Sequence, residues 1–261
     1  ENFYVNLITT SDYSLSDGNR MSNFQILNNV DHKDLRIVEA VGPEFGDVIH
    51  SCPAYTFEFR DLQVDFPILL QATEQDGLIP VAVMGFESGE NLFVKNAQWT
   101  ALSRPAFMRK GPFLIGQHQS PEGEEVRLLS VDMAHPRVSH GTEGEAVFQP
   151  LGGRTQYLEQ QADLLEKIHE GASHTQRFTQ CLADLDLVES ITLDISLHDG
   201  SKNQLLGFSA INEDAVRALS AESLEQLSQQ GFLMPLFMML ASLSNMGRLI
   251  QFKQQARDAN Q

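Results

Sequence analysis

Cysteine is scarce: the 261 residues hold only Cys52 and Cys181. A secreted scaffold stapled by disulfides uses more, and no C-x-x-C pair occurs. Two isolated cysteines are expected to be buried thiols in a reducing compartment, so the expected location is the cytoplasm. The start of the chain lacks a basic segment followed by an apolar one, and no secretory signal is expected. Positive charge is also sparse. Lys plus Arg number 18 against 35 Asp plus Glu, a formal net charge of -17. Such a surface repels phosphate backbones and anionic lipid headgroups. Arg104, Arg109 and Lys110, and again Arg248, Lys253 and Arg257, form short basic groups that read as solvated helix ends. Nucleic acid is therefore not an expected partner, whereas a protein partner is compatible with this surface.

The signatures of well-marked chemistry are missing as well. There is no G-x-S-x-G elbow, so the best-marked serine hydrolase pattern is absent. Neither G-x-x-x-x-G-K-[ST] nor G-x-G-x-x-G occurs, and HExxH is absent. No cofactor is expected. Long uninterrupted apolar runs are lacking too. The nearest is Phe232 to Ile250, and it contains Pro235, Ser242, Ser244, Asn245, Gly247 and Arg248. A membrane span needs about 20 consecutive apolar residues, so a buried amphipathic helix is expected here and no membrane span.

What is present suits a globular protein. Hydrophobic residues make up 42% and charged residues 20%, the latter below the ordinary share of roughly 25%. Residues 1–20 are polar and lack helical periodicity, and they read as a disordered or extraneous extension. Met21 then opens a stretch resembling a natural start. From there to about residue 150 the pattern is strand-rich. Leu35–Val41 is rich in branched residues. Pro53–Val64 reads as a short helix ended by Asp65-Phe66-Pro67. Ile68–Leu70 and Leu78–Phe86 read as strands around an Asp76-Gly77 turn, a strong hairpin signal. A similar order from Pro105 through Phe113 suggests either a faint internal repeat or a coincidence of local helix–strand grammar. Val126–Val131 is a further strand, and the polar stretch 132–154, ending in Gly152-Gly153, marks the main boundary.

Residues 151–261 read as mainly helical. Tyr157, Leu158, Leu165 and Ile168 form an apolar stripe continued by Phe178, Leu182 and Leu185, with Gly171 expected to bend or break it. Ile191, Leu193, Ile195 and Leu197 alternate as in a strand, and His198-Asp199-Gly200 turns the chain into Leu206, Phe208 and Ala210. Asn212 and Ser220 suit helix N-caps, Gly231 a helix end and Pro235 a first turn. Met234–Gln255 reads as one core helix, its methionine side being the alternative place for a partner. The expectation is α+β: a strand-rich part, 21–150, packed as one compact unit with a mainly helical part, 151–261, that contains a β-hairpin.

Two clusters carry candidate chemistry. Asp132, His135 and His140 offer carboxylate and imidazole, the usual ligands of zinc or ferrous iron. Their spacing matches no metal motif, so polar loop residues are the expected reading. Asn91 precedes the only tryptophan, Trp99, which is followed by Arg104 and Arg109. An aromatic ring with nearby guanidinium groups, and Asp132 beside them, forms a recognition surface for a flat or anionic ligand. A core Trp beside a structural Arg is the plainer reading. Cys181, among Phe178, Leu182 and Leu185, reads as core.

Several segments in order resemble the SapC family of bacterial proteins: the proline-ended helix before Phe66-Pro67-Ile68, Pro80 through Phe86, Gly89-Glu-Asn-Leu-Phe93 with Trp99, Pro105-Ala106, Arg109 through Phe113, Leu205 through Phe208, and the last apolar helix. This family differs from the peptide-transporter permease that shares its name. The resemblance implies a cytosolic accessory or interaction protein. Gene neighbourhoods containing tryptophan-halogenase-like proteins, cupin-like proteins and TonB-dependent receptors imply a link to nutrient uptake or small-molecule modification. In the family pattern His135 and His140 are not shared features. The alternative is an enzyme or small-ligand-binding protein with its site near Trp99 and Arg109.

Overall fold

The structure is a computed structural model that describes residues 22–74, 76–119, 125–196 and 202–259. The expected N-terminal extension and the turn at His198-Asp199-Gly200 lie outside them. The strands in chain order are β1 Phe24–Ile26, β2 Arg36–Ile37, β3 Ser51–Pro53, β4 Ile68–Thr73, β5 Gly77–Val83, β6 Val94–Lys95, β7 Gln98–Trp99, β8 Phe113–Gln119, β9 Glu125–Asp132, β10 Val138–Ser139, β11 Glu145–Ala146, β12 Val188–Ser196 and β13 Lys202–Ile211. The helices are α1 Phe59–Leu62, α2 Ala106–Arg109, α3 Gln156–Asp184, α4 Glu213–Arg217, α5 Ala221–Gln229, α6 Leu233–Ser242 and α7 Asn245–Asp258. The fold is α+β, with antiparallel sheets and a helical C-terminal region.

The chain forms two compact units, each discontinuous in sequence. One comprises the described residues up to Asp47 together with Met108–His169. It holds two small sheets, ordered β1-β9-β8 and β10-β2-β11. Its core is Leu35, Ile37, Phe113, Val131, Val147, Phe148, Leu158 and Leu165. The branched segment from Leu35 shrinks to the two residues of β2, and the Val38 N–H just beyond it donates to Arg137 O, the next position in the β2–β10 register. Gly144 is needed where it stands: its φ is 91°, and a Cβ there would lie 2.4 Å from Ile37 O.

The other unit comprises Val48–Phe107 and the described residues from Glu170 onward. Its antiparallel sheet runs β12-β13-β4-β5-β3. The Asp76-Gly77 signal is realised: β4 and β5 pair antiparallel from Ile68↔Ala82 to Thr73↔Gly77, and Gly77 takes φ 70°. Thr73 Oγ1 accepts from Asp76 N and donates to Gly77 O, closing the turn. Asn212 and Ser220 cap α4 and α5 as expected, accepting from Ala215 N and Ser223 N. The core gathers Phe59, Phe66, Phe178, Phe232, Leu69, Met84 and Leu236, all with no more than traces of exposure.

Two sequence-based expectations are corrected. Gly171 neither bends nor ends the helix, since α3 runs unbroken from Gln156 to Asp184. Its missing side chain makes room: a Cβ would sit 2.5 Å from the Phe57 ring. Met234–Gln255 is two helices, α6 and α7, separated by Leu243 and Ser244. Serines punctuate the break. Ser242 Oγ donates to Met239 O and accepts from Ile68 N, and Ser244 Oγ donates to Ala241 O. Such side-chain bonds compete with the helical ladder. By length and composition alone the stretch Leu233–Asp258 could cross a membrane, its most apolar 18-residue window having a mean hydropathy of 1.3.

Candidate functional site

The chain around Trp99 is built from a sequence of backbone traps. After β5, Met84 N and Gly85 N both donate to His50 O. Gly85 must lack a side chain, because a Cβ would lie 2.8 Å from Glu90 O. Glu90 accepts from Phe86 N at 2.8 Å, and its other oxygen pairs with the buried Lys253 of α7, which also reaches Glu87 at 3.0 Å. Asn91 is buried; its Oδ1 accepts from Phe93 N at 3.0 Å, and its amide faces Met84 Sδ. Asn91 thus folds the turn that seats Phe93. The β6–β7 hairpin follows, with Asn96 and Ala97 at φ 51° and 57°, the signs a two-residue type I′ turn requires.

Trp99 is half-buried at the end of this hairpin. Its ring lies 6.2 Å from that of Phe66 and 6.4 Å from that of Phe93, and its Nε1 donates to Ser103 O at 2.8 Å. The Arg104 guanidinium sits 5.6 Å over the same ring. Behind it, burial pushes the Cys52 thiol well above its usual range; Glu58 adds to this and Arg104 opposes it. Glu58 is itself buried and accepts from Tyr55 N and Ala106 N, the second at 2.7 Å. That carboxylate holds the N-terminal end of α2 in place.

Further residues beyond the expected set join this neighbourhood. Phe252 packs edge-on to Phe93 at 5.6 Å, and Lys95 and Arg248 approach its ring at 4.6 and 5.2 Å. Arg248 also pairs at 3.0 Å with the buried Asp65, whose second oxygen accepts from Leu102 N. The sequence signal was available in the spacing of Arg248, Phe252 and Lys253 on one helix, yet the ion-pair partners of Arg248 and Lys253 lie 183 and 163 residues earlier.

Of the expected residues, the structure brings Trp99 and Arg104 into contact and places Asn91 in the turn that leads into the β6–β7 hairpin. Arg109 and Asp132 belong to the other unit. Arg109 is exposed at the end of α2. Asp132 Oδ1 accepts from Asn23 N at 2.7 Å and Ala134 N at 3.0 Å, pinning β1 and the turn after β9. Near it, burial lowers the Lys110 ammonium while the Asp132 charge acts the other way. His135 Nδ1 accepts from Arg137 N, and His140 is exposed. Among the described residues no three His, Cys, Asp or Glu side chains are grouped to hold a metal ion. Asp132 and His135 thus serve as acceptors for backbone N–H groups of their own turns and of Asn23 at the start of β1.

A family model described as SapC matches residues 27–249. The chain belongs to the SapC family. No curated protein and no solved structure matches it. The matched SapC region contains Gly85, Glu90, Asn91, Trp99 and Arg104 and reaches Arg248 in α7. The segments that carried the resemblance thus include the Glu90 and Asn91 turns and the Trp99 hairpin.

Proposed function

We propose that this SapC protein is a non-catalytic accessory protein that works by binding a protein partner through α6. The observation that carries this reading is a helix apolar on all sides with only one side covered. Leu236, Met238 and Met239 are buried, while Met234 and Phe237 are 57% and 53% exposed and Ala241 continues their stripe. A helix of that character is ordinarily enclosed by protein or lipid, and adaptable methionine suits a binding face. Both cysteines are free and buried, which suits the cytoplasm. The ion pairs of Arg248 with Asp65 and of Lys253 with Glu87 and Glu90 support α7 as part of its unit instead of a membrane span. Nutrient uptake or small-molecule modification is the setting that the family suggests.

The test is a tagged pull-down from the native host, with size-exclusion chromatography and light scattering, for the natural chain and Phe237→Glu. A stable partner recovered by the natural chain and lost by a folded Phe237→Glu chain is expected. A chain that is monomeric and recovers nothing overturns the reading.

The alternative, a small-ligand-binding protein or enzyme, is favoured by Arg104 over the half-buried Trp99 ring. Trp99 is the only tryptophan, so its fluorescence reports this place alone. Saturable quenching by a planar carboxylate such as benzoate, lost in Arg104→Met, would support a site at Trp99 and Arg104.

A further inference from the structure

The five-stranded sheet opens at one seam. β13 pairs with β4 at Phe208↔Gln71 and Ser209↔Leu70. Two residues further along β4 the Ile68 N–H donates to Ser242 Oγ at 2.9 Å instead of joining β13. Where the strands part, a cleft of about 580 Å³ lies between the sheet, α4 and the α6–α7 turn. Its floor is apolar: Leu69, Ile191, Ile211, Leu243 and Met246. Leu69 and Ile211 are buried, and the other three are half-buried.

Charge at the cleft has one dominant sign. Glu189, Glu213 and Asp214 line it against a single cation, Arg217. Arg217 pairs with Glu213 at 2.7 Å and with Asp214 at 2.8 Å. Glu189 accepts from the Asn212 amide at 2.9 Å, a neutral donor that leaves its charge uncancelled. Three carboxylates against one guanidinium leave a net charge of minus two over an apolar floor. The carboxylates are exposed, so their field acts at the mouth and is reduced by salt.

We infer that this cleft is a binding site for a small organic cation, an ammonium group carried on an apolar body. The body fits the floor left by the parted strands, and the ammonium meets Glu189 and the Glu213–Asp214 pair at the rim. An anion of the same shape is repelled, and a neutral one loses the rim contact. This inference goes beyond the partner-binding reading of α6 and stands independently of it.

The experiment is an NMR titration of the full chain with hexylammonium, hexanol and hexanoate, reading the backbone amides of Ile191, Asn212 and Leu243. Hexylammonium is expected to give saturable shifts at those amides, with affinity at least about tenfold above that of hexanoate and also above that of hexanol. The triple variant Glu189→Gln, Glu213→Gln, Asp214→Asn should lower the hexylammonium affinity about tenfold while its circular dichroism stays unchanged. High salt should weaken binding to the natural chain more than binding to the variant. Equal binding of hexanoate or hexanol overturns the proposal. So do shifts that rise without saturation, that lie away from the cleft, or that persist in the triple variant.

Discussion

Arg137 holds Asp47 with both carboxylate oxygens, at 2.9 and 2.7 Å, and both side chains are almost wholly buried. The same guanidinium donates to Val38 O and Ala40 O and lies 5.1 Å from the Phe45 ring. Asp47 in turn accepts from Gly42 N. One ion pair thus ties the β10 segment to the loop after β2. Removing one partner of a buried pair costs about 3–5 kcal/mol, because a charge is stranded. Arg137→Met should therefore lower the urea midpoint strongly. Replacing both partners, Arg137→Met with Asp47→Leu, should recover a substantial part of the loss.

Gly171 offers a test of close packing. Alanine in a helix interior ordinarily gains about 1 kcal/mol over glycine. Here the added methyl would meet Phe57 Cδ1 at 2.5 Å, and overpacking costs about 1–3 kcal/mol. Gly171→Ala is expected to destabilise on balance. In Phe57→Ala the obstruction is gone, and the same glycine change should become neutral or stabilising. A double-mutant cycle by urea denaturation measures this sign change.

The two sides of α6 should answer differently to truncation. Leu236 has no exposure, and Leu236→Ala should cost about 2–5 kcal/mol. Phe237 is half open to solvent, and Phe237→Ala should cost less than about 1 kcal/mol in the isolated chain. Thermal melts of the two variants give the comparison directly. Equal losses would show that Phe237 is as enclosed as Leu236.

Stability should fall as the solution is acidified through the histidine range. His174 Nδ1 lies 2.7 Å from Thr56 Oγ1, and the ring meets the Phe232 edge. Burial lowers its affinity for a proton, and Arg177 lowers it further. His50 is shifted the same way by burial, with Glu90 opposing. A histidine with a depressed folded value binds more protons when unfolded. Its contribution is present above the usual 6.5 and is lost as pH drops through the window below it. His174→Gln should flatten the dependence of the urea midpoint on pH between about 5 and 7.

Both thiols should resist labelling in the native protein. Burial raises Cys52 and Cys181 above their usual range, and Cys52 is raised further by Glu58. The thiolate is the reactive form. Native protein should react slowly with a disulfide reagent, Cys52 more slowly than Cys181, and both should react at once in urea. Rapid native labelling of Cys52 would contradict its complete enclosure.

Local features were legible because their causes are local. Asp76-Gly77 closes a hairpin since glycine accepts φ 70°. Asn212 and Ser220 cap helices through side chains that reach three residues onward. The proline after Phe66 separates α1 from β4. Composition and alternation were sufficient for the α+β class. The Trp99–Arg104 contact was legible for the same reason, since the partners are five residues apart.

What the sequence by itself determined, then, are turns, caps and strand periodicity, whose energies depend on neighbours along the chain. Tertiary structure alone decided that Arg109 and Asp132 belong to a different unit from Trp99, because unit membership follows contacts between distant segments. It decided that Gly171 clears a path for Phe57 instead of ending a helix, a role set by a ring 114 positions away and absent from the helix's own grammar. It also divided the apolar C-terminal run between core and surface. Every side of α6 is greasy, so periodicity carries no direction, and only the packing of Leu236 and Met239 leaves Met234 and Phe237 facing outward.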